Sequence, residues 1–368
     1  MSPHAHHQRD GSIQRITLHR LKVPLTTPYK LSLAEIRAFD TVLVQAQGGD
    51  GRTGLGEATL LTGYTNESIE QSWRLACALA SRVAGESYHA AKNIIDGSRA
   101  VAPFTVTALS TAVEMLERSA YLNTDKPVVV PLLALVHAAD ADALTREIDG
   151  LIDQGYDTLK VKIGFDVDAD LARVRLIQRL VGGRARLRLD ANQGYGREEA
   201  CRFARSLDPE GIELLEQTCA AGDWEAAQSV ADASRVPLML DESIYDLADV
   251  DRAAELGVAS YIKFKLMKAG SLARLAQALT HIRSRGMEPV LGNGVACDIG
   301  CWMEACMVPG QIRNAGEMNG FLKTNSSLLQ RPLTVEHGCI RLEADFRPAI
   351  DQAVVARYAR ASETFPPA

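Results

Sequence analysis

From about Val130 onward the sequence settles into a rhythm in which a short apolar run is followed by a longer amphipathic segment, about eight times over. The runs are Leu132–Val136, Thr158–Ile163, Arg186–Asp190, Ile212–Glu216, Leu238–Asp241, Ser260–Lys265, Glu288–Leu291 and, more weakly, Ile312–Glu317. Runs this short suit strands buried on both faces, and the stretches between them, such as Asp140–Gln154, Asp168–Val181 and Ser271–Arg285, carry helical spacing. Parallel strands cannot be joined by a tight turn, so this order dictates a parallel sheet with crossover helices. About eight such units in roughly two hundred residues are enough to close a (β/α) barrel, here with an incomplete last helix.

Before Val130 the texture differs. Ile13–Val23, Phe39–Gln47 and Gly54–Thr59 read as an antiparallel meander with a Gly48-Gly-Asp-Gly turn, followed by helical patterns over 66–83 and 105–122, the first opened by Asn66 and Glu67. At 368 residues the chain has room for a barrel and such an α+β domain. The expected division is a disordered, histidine-bearing tail over 1–11, a first domain over 12–126 completed by about 329–368, and the barrel over 127–328. Leu333–Leu342 reads as a strand or hairpin returning to the first domain.

The balance of 40 basic and 46 acidic side chains, net charge −6, gives no electrostatic case for nucleic acid. The longest apolar stretch, Val128 to Ala139, is broken by Pro131 and His137 and is too short for a bilayer. The first residues lack the apolar core of a signal peptide, and the seven cysteines show no C-x-x-C; the expectation is a cytoplasmic protein with reduced thiols that forms a homo-oligomer. Neither a dinucleotide fingerprint nor the Walker A, H-E-x-x-H and G-x-S-x-G motifs occurs.

The chemistry lies at the ends of the runs. The third ends at Asp190, the fourth at Glu216 and the fifth at Asp241, and in a (β/α) barrel the C-terminal strand ends form the active-site rim. One such Asp reads equally as a helix cap. Three in succession would repel one another in a low dielectric, and a hard divalent cation, Mg²⁺ or as a substitute Mn²⁺, relieves that repulsion. Lysines flank the carboxylates: Lys160 and Lys162 close the second run, Lys263 and Lys265 the sixth. Alone, Lys160-Val-Lys162 reads as well as an edge strand with a solvated face. With the carboxylates between them, the two pairs place ammonium groups on opposite sides of a central metal, where a lysine of lowered pKa can act as a base.

Residues from about 13 to 342 resemble the enolase superfamily, specifically its muconate lactonizing enzyme-like branch. The motifs that carry the resemblance are Lys160-Val-Lys162, Asp190-Ala-Asn-Gln, Glu216-Gln, Asp241-Glu-Ser and Ile262-Lys-Phe-Lys265-Leu-Met-Lys-Ala-Gly. It implies an α/β fold, a modified (β/α)7β TIM-like barrel under an N-terminal α+β capping domain. It also implies an enzyme that removes the proton α to a carboxylate. Mg²⁺ is then held by Asp190, Glu216 and Asp241, with Lys162 and Lys265 as the acid/base pair. Lys160 lowers the pKa of Lys162 and helps bind the substrate carboxylate, and Asn192, Glu242 and Lys263 stand behind these groups. A histidine base late in the barrel, as in the mandelate racemase-like branch, is disfavoured because His281 lies within a helical segment.

Specificity is expected from Tyr29, Lys30, Leu33, Leu61 and Tyr64 in the capping loops and from Asn293, Glu317 and Asn319 at the last strand ends. Gly292 and Gly294 suggest close backbone approach to a ligand. Dipeptide epimerases of this branch place Asp-x-Asp after the eighth strand to grip an ammonium; here Glu317-Met-Asn319 keeps one acid. The expected substrate is a small-molecule carboxylate, an amino acid, and the first reading is dehydration of a hydroxy amino acid of the cis-3-hydroxy-L-proline type. The alternative is a dipeptide or amino-acid epimerase or racemase. From another class come a metal-free Schiff-base aldolase using Lys162 or Lys265, and a non-catalytic metal-binding protein.

Overall fold

Two faces of one antiparallel sheet set the architecture. The computed structural model describes residues 11–30, 35–61 and 65–367 and, within them, every side chain but those of Tyr29, Lys30 and Glu35. The expected tail up to residue 10, Leu33 and Tyr64 lie outside the described residues. In β1 (Ile13–Lys30) and β2 (Glu35–Gly48), Ile16, Leu18, Val42 and Val44 face one way, and Leu21, Val23, Phe39 and Leu43 face the other. The first set packs on α1 (Ile69–Val83), α2 (Tyr88–Asp96) and α3 (Pro103–Leu116); the second joins the core that contains barrel residues such as Trp302. With both faces covered, the alternation in sequence is imperfect, as burial on both sides requires.

The third strand, β3 (Thr53–Leu60), pairs with β2, and its Gly54 and Gly56 admit α3 at backbone contact. A Cβ at Gly54 would lie 2.0 Å from Ala112 O, and one at Gly56 1.8 Å from Ala108 O, so no larger residue fits. Three details differ from the sequence reading. α1 starts at Ile69 behind a capping box of Ser68 and Gln71, and Glu67 instead caps α3, accepting from Phe104 N at 2.7 Å and Thr105 N at 3.0 Å. α2 was not anticipated, and α3 stops at Leu116.

After β4 (Val128–Pro131) the barrel strands follow: β5 (Ala134–Val136), β6 (Thr158–Lys162), β7 (Arg186–Asp190), β8 (Ile212–Glu216), β9 (Leu238–Leu240), β10 (Tyr261–Phe264) and β11 (Glu288–Leu291). They form one parallel sheet in sequence order. Between them run α4 (Ala141–Asp153), α5 (Val167–Val181), α6 (Arg197–Ser206), α7 (Trp224–Ala233), α8 (Leu247–Leu256), the single turn α9 (Leu266–Ala269) and α10 (Leu272–Ser284). Side chains of Asp140, Asp166, Asp223, Asp246 and Ser271 cap the starts of α4, α5, α7, α8 and α10, which turns the chain into a helix soon after each strand. α11 (Asp298–Met307) follows β11.

The curled sheet closes without an eighth regular strand. Leu133 N donates to Gly316 O (3.0 Å) on one side, and Glu317 N donates to Leu291 O (3.0 Å) on the other. Residues 316–317 therefore bridge β5 and β11, where the weak run Ile312–Glu317 was read. Gly292, at φ 140°, allows this approach: a Cβ there would sit 2.3 Å from Glu317 N. Its close backbone contact is with the closing segment.

The segment Leu333–Leu342 forms a hairpin of β12 (Thr334–Glu336) and β13 (Cys339–Leu342), and β13 pairs with β4 rather than with the first sheet. The short β4 leaves an edge beside the barrel that these strands satisfy. The chain returns to the first sheet later, after α12 (Gln352–Tyr358), when β14 (Ala359–Phe365) pairs with β1. Among the described residues no helix is long and apolar enough to cross a membrane.

Candidate active site

Strand register assembles the charged cluster. Lys162 pairs with Asp190 across β6 and β7, Asp190 with Glu216 across β7 and β8, and Ile262 with Leu240 across β10 and β9, which brings Lys263 beside Asp241. Since alternate residues share a face, Lys160 and Lys162 both enter the barrel, as do Arg188 and Asp190. Beneath them Leu214, Met239 and Val290 make an apolar layer with Tyr261. Arg188, fully buried, is clamped by Glu213 (2.7 Å) and Ala315 O (2.9 Å).

Lys160 Nζ lies 2.8 Å from Asp190 Oδ2, 2.8 Å from Glu216 Oε2 and 3.1 Å from Glu317 Oε2. Lys263 Nζ lies 3.0 Å from Glu216 Oε1 and 3.5 Å from Asp241 Oδ2, and it also donates to Glu317. Toward the mouth, Lys162 Nζ is 2.6 Å from Asp190 Oδ2 and also donates to Asn192; on the opposite flank Lys265 Nζ is 2.8 Å from Asp241 Oδ2. Burial opposes charge in Asp190, Asp241 and Glu317, yet the lysines hold all three well below the carboxylate range. Burial would likewise lower Lys160, but Asp190, Glu216 and Glu317 hold it well above the usual lysine value. Lys160 is a fixed cation in this arrangement.

Side chains that the motif reading left without a role position the cluster. Gln217 Oε1 accepts from Asp241 N (3.0 Å) and Ser243 N (3.1 Å). Lys268 donates to the carbonyls of Asp241 (2.9 Å) and Ile244 (2.8 Å); its burial, beside Lys265, pushes it down to about 8 against the pull of Asp241. Glu304 on α11 accepts from Leu266 N (3.0 Å), fixing the turn that begins just after Lys265. Asn192 and Gln217, both non-glycine residues with positive φ (41° and 35°), follow the strand ends that carry Asp190 and Glu216. Such strained conformations persist where the surroundings enforce them.

Among the expected supporting groups, Asn192 bridges Lys162 and Glu242 Oε1 (3.0 Å). Burial and the neighbouring Asp241 and Asp190 push Glu242 up to about 7. Lys263 stands among the carboxylates rather than behind them. Glu317 is not a spare acid awaiting an amine, because Lys160 and Lys263 both engage it. Asn319 Nδ2 donates to Leu133 O (3.3 Å), and its buried Oδ1 accepts no hydrogen bond. Asn293 turns inward, its Oδ1 accepting from Val295 N (3.0 Å). The backbones of Tyr29 and Lys30 end β1; their side chains, like Tyr64, lie outside the described residues.

Among the described residues no three His, Cys, Asp or Glu side chains stand as a ready-made metal cage. The donor chemistry nevertheless fits a hard divalent ion. Three carboxylates end three neighbouring strands, and buried Glu216 Oε2, though close to Lys160, receives no hydrogen bond of proper geometry.

Residues 143–348 match the family described as enolase C-terminal domain-like. The L-Ala-D/L-Glu epimerase of Bacillus subtilis is 29% identical over 307 residues, 78% of this chain and 82% of that protein. Two crystal structures share the fold at a TM-score of 0.86. One is a dipeptide epimerase from Cytophaga hutchinsonii complexed with Mg and D-Ala-L-Val, at 20% identity, covering 96% of this chain and all of that one. The other is a muconate lactonizing enzyme from Pseudomonas fluorescens complexed with muconolactone, at 24% identity and the same coverage. These relatives favour the epimerase expectation over the dehydratase one. Lysines flanking strand-end carboxylates, a capped barrel and a family match over more than half of the chain agree: this chain belongs to the enolase superfamily, in the family described as enolase C-terminal domain-like.

Proposed function

We propose that the enzyme epimerises an amino-acid derivative, moving the proton on the carbon α to its carboxylate from one face to the other. The observation that carries this reading is the pairing of Lys162 with Asp190 and of Lys265 with Asp241, on strands at opposite flanks of the cluster, with β7, β8 and β9 between them. A substrate carbon lying between the two ammonium positions loses a proton to one lysine in its neutral form and receives one from the other. Lys160 and Lys263 stay protonated and receive the charge that develops on the substrate carboxylate, the electrostatic role that preorganised cations perform best in a site shielded from water. Asn192 and Gln217 hold Asp190's neighbourhood and Asp241 in register. Asp190, Glu216 and Asp241 would hold Mg²⁺, or Mn²⁺ in its place. When bound, the ion supplies Lewis acidity toward the substrate carboxylate and so makes its α-proton easier to remove.

The experiment is incubation of an amino-acid derivative and dipeptide panel in D₂O with Mg²⁺, followed by ¹H NMR. Loss of the Cα proton signal with conversion to the other stereoisomer is expected. In Lys162→Met and Lys265→Met, interconversion stops while each variant exchanges the α-proton of only one stereoisomer, and of opposite ones. Exchange accompanied by loss of a β-hydroxyl, or no exchange with any member, would overturn the proposal.

A further inference from the structure

The turn that follows Lys162 is held by more contacts than a link between strand and helix needs. Asp170, buried in the first turn of α5, directs Oδ2 back to accept from Gly164 N (3.0 Å), Phe165 N (3.0 Å) and Asp166 N (3.2 Å). Tyr195 Oη donates to the same oxygen (2.7 Å) from the turn after β7, the one that also carries Asn192. Two glycines let these turns meet at backbone contact. A Cβ on Gly164, at φ 96°, would lie 2.5 Å from Ala191 O, and one on Gly194 would lie 2.2 Å from Gly164 O. Between them Ile163 N donates to Asp190 O (2.9 Å). Tyr195 is itself anchored: its N donates to Thr218 O (3.1 Å), and its ring packs on Phe203 with centroids 5.4 Å apart. Burial, and then Asp170, push its hydroxyl up, so it stays a donor.

These contacts bear on one of the two proton-transfer groups and not on the other. Lys162 ends β6 just before the clamped turn, and Asn192, to which it donates, lies in the turn that Tyr195 closes. The side chain of Lys162 is 25% exposed against 9% for Lys265, so packing encloses it less and its place depends more on its backbone and on Asn192. Lys265 follows β10 on the opposite flank, where Glu304 fixes the next turn instead. We propose that Asp170 and Tyr195 are positioning residues for Lys162 alone. The hydrogen bond between them sets the spacing of the two turns that carry Lys162 and Asn192, and with it proton transfer on one face of the substrate carbon. This inference rests on the epimerase reading.

The test takes the amino-acid derivative or dipeptide of the panel that the wild-type enzyme interconverts, and follows α-proton exchange of its two stereoisomers separately in D₂O with Mg²⁺ by ¹H NMR. The isomer that Lys162→Met no longer exchanges is the one that Lys162 deprotonates. In Asp170→Ala, exchange of that isomer should fall by roughly 10²-fold through kcat, with KM within a few-fold, as for a reacting group displaced by about an ångström. Exchange of the other isomer should stay within about twofold, since Lys265 keeps its place. Tyr195→Phe, which removes only the link between the turns, should show the same one-sided loss at smaller size. Asp170→Asn keeps an acceptor for the turn and should recover part of the rate. Equal slowing of both isomers, or slowing of neither, overturns the proposal and leaves epimerisation standing; if Asp170→Ala does not fold, Tyr195→Phe decides. Wild-type enzyme that exchanges no member of the panel overturns the epimerase reading, and this inference with it.

Discussion

Glu57 joins the two parts of the molecule, and its substitution measures which of two opposing effects governs a buried carboxylate. It lies on β3, and its carboxyl oxygens accept from Cys297 N (2.6 Å), Ile299 N (3.0 Å) and Gly300 N (3.2 Å) at the start of α11, where Cys297 offers no side-chain cap. Three N–H donors and a helix N-terminus favour the ionised form. Complete burial disfavours it, and burial prevails: Glu57 is pushed up from 4.5 to about 7, with Asp298 adding to the rise. A carboxyl whose pKa rises on folding contributes most below its unfolded value and loses that contribution as pH climbs through its folded value. The window is thus from about pH 4.5 to about pH 7. At 1.36 kcal/mol per pKa unit the loss across it is about 3 kcal/mol.

Glu57→Gln keeps the shape and one acceptor but cannot ionise. Its unfolding free energy relative to the wild type should therefore move in the variant's favour by about 3 kcal/mol between pH 5 and pH 8. Urea unfolding of both proteins at several pH values gives that difference directly, and every other titrating group cancels from it. A difference that does not change with pH, or one that moves toward the wild type as pH rises, would show that the three N–H groups outweigh burial and would refute the reasoning.

Three further outcomes follow from the site and the barrel. Treatment with EDTA should abolish turnover and Mg²⁺ should restore it, with the metal also raising the melting temperature; turnover that survives exhaustive chelation would remove the ion from the reaction. Glu304→Ala frees Leu266 N and the turn after Lys265, so kcat should fall by roughly 10²-fold while KM stays within a few-fold, as expected when a reacting group is misplaced by about an ångström. Steady-state kinetics decide it, and an unchanged kcat would mean that Lys265 is placed by other contacts. Arg188→Met leaves Glu213 only its longer contact with Arg186 (3.7 Å) and Ala315 O without its donor, and should cost about 3 kcal/mol in urea unfolding.

What the sequence made legible was whatever has a fixed period. Lys160 and Lys162 share a face because strands alternate, and Asp190, Glu216 and Asp241 recur once per βα unit, so their convergence followed from the barrel itself. Partners across long sequence distances were not legible. Glu317 read as an acid for an amine, and only the folded barrel shows Lys160 and Lys263 reaching it from β6 and β10. Glu67 read as part of the start of α1, whereas the helix it caps begins at Pro103. Leu333–Leu342 had the alternation of a strand, but a pattern does not name its neighbour, and the open edge of β4 took it.

The pairing of β14 with β1 has a consequence for how the protein is made. Ile16 lies opposite Phe365 and Leu18 opposite Glu363, so a strand made before the barrel waits for one made after it. Domains emerging from the ribosome tend to fold in order, N-terminal first. Here the cover cannot be finished before the vessel, and until Ala359–Phe365 arrives the outer edge of β1 keeps its backbone groups open to other chains. A nascent chain stalled before Ala359 would carry a nearly complete barrel and an adhesive edge, which makes the last strand a seal against aggregation as much as a part of the fold.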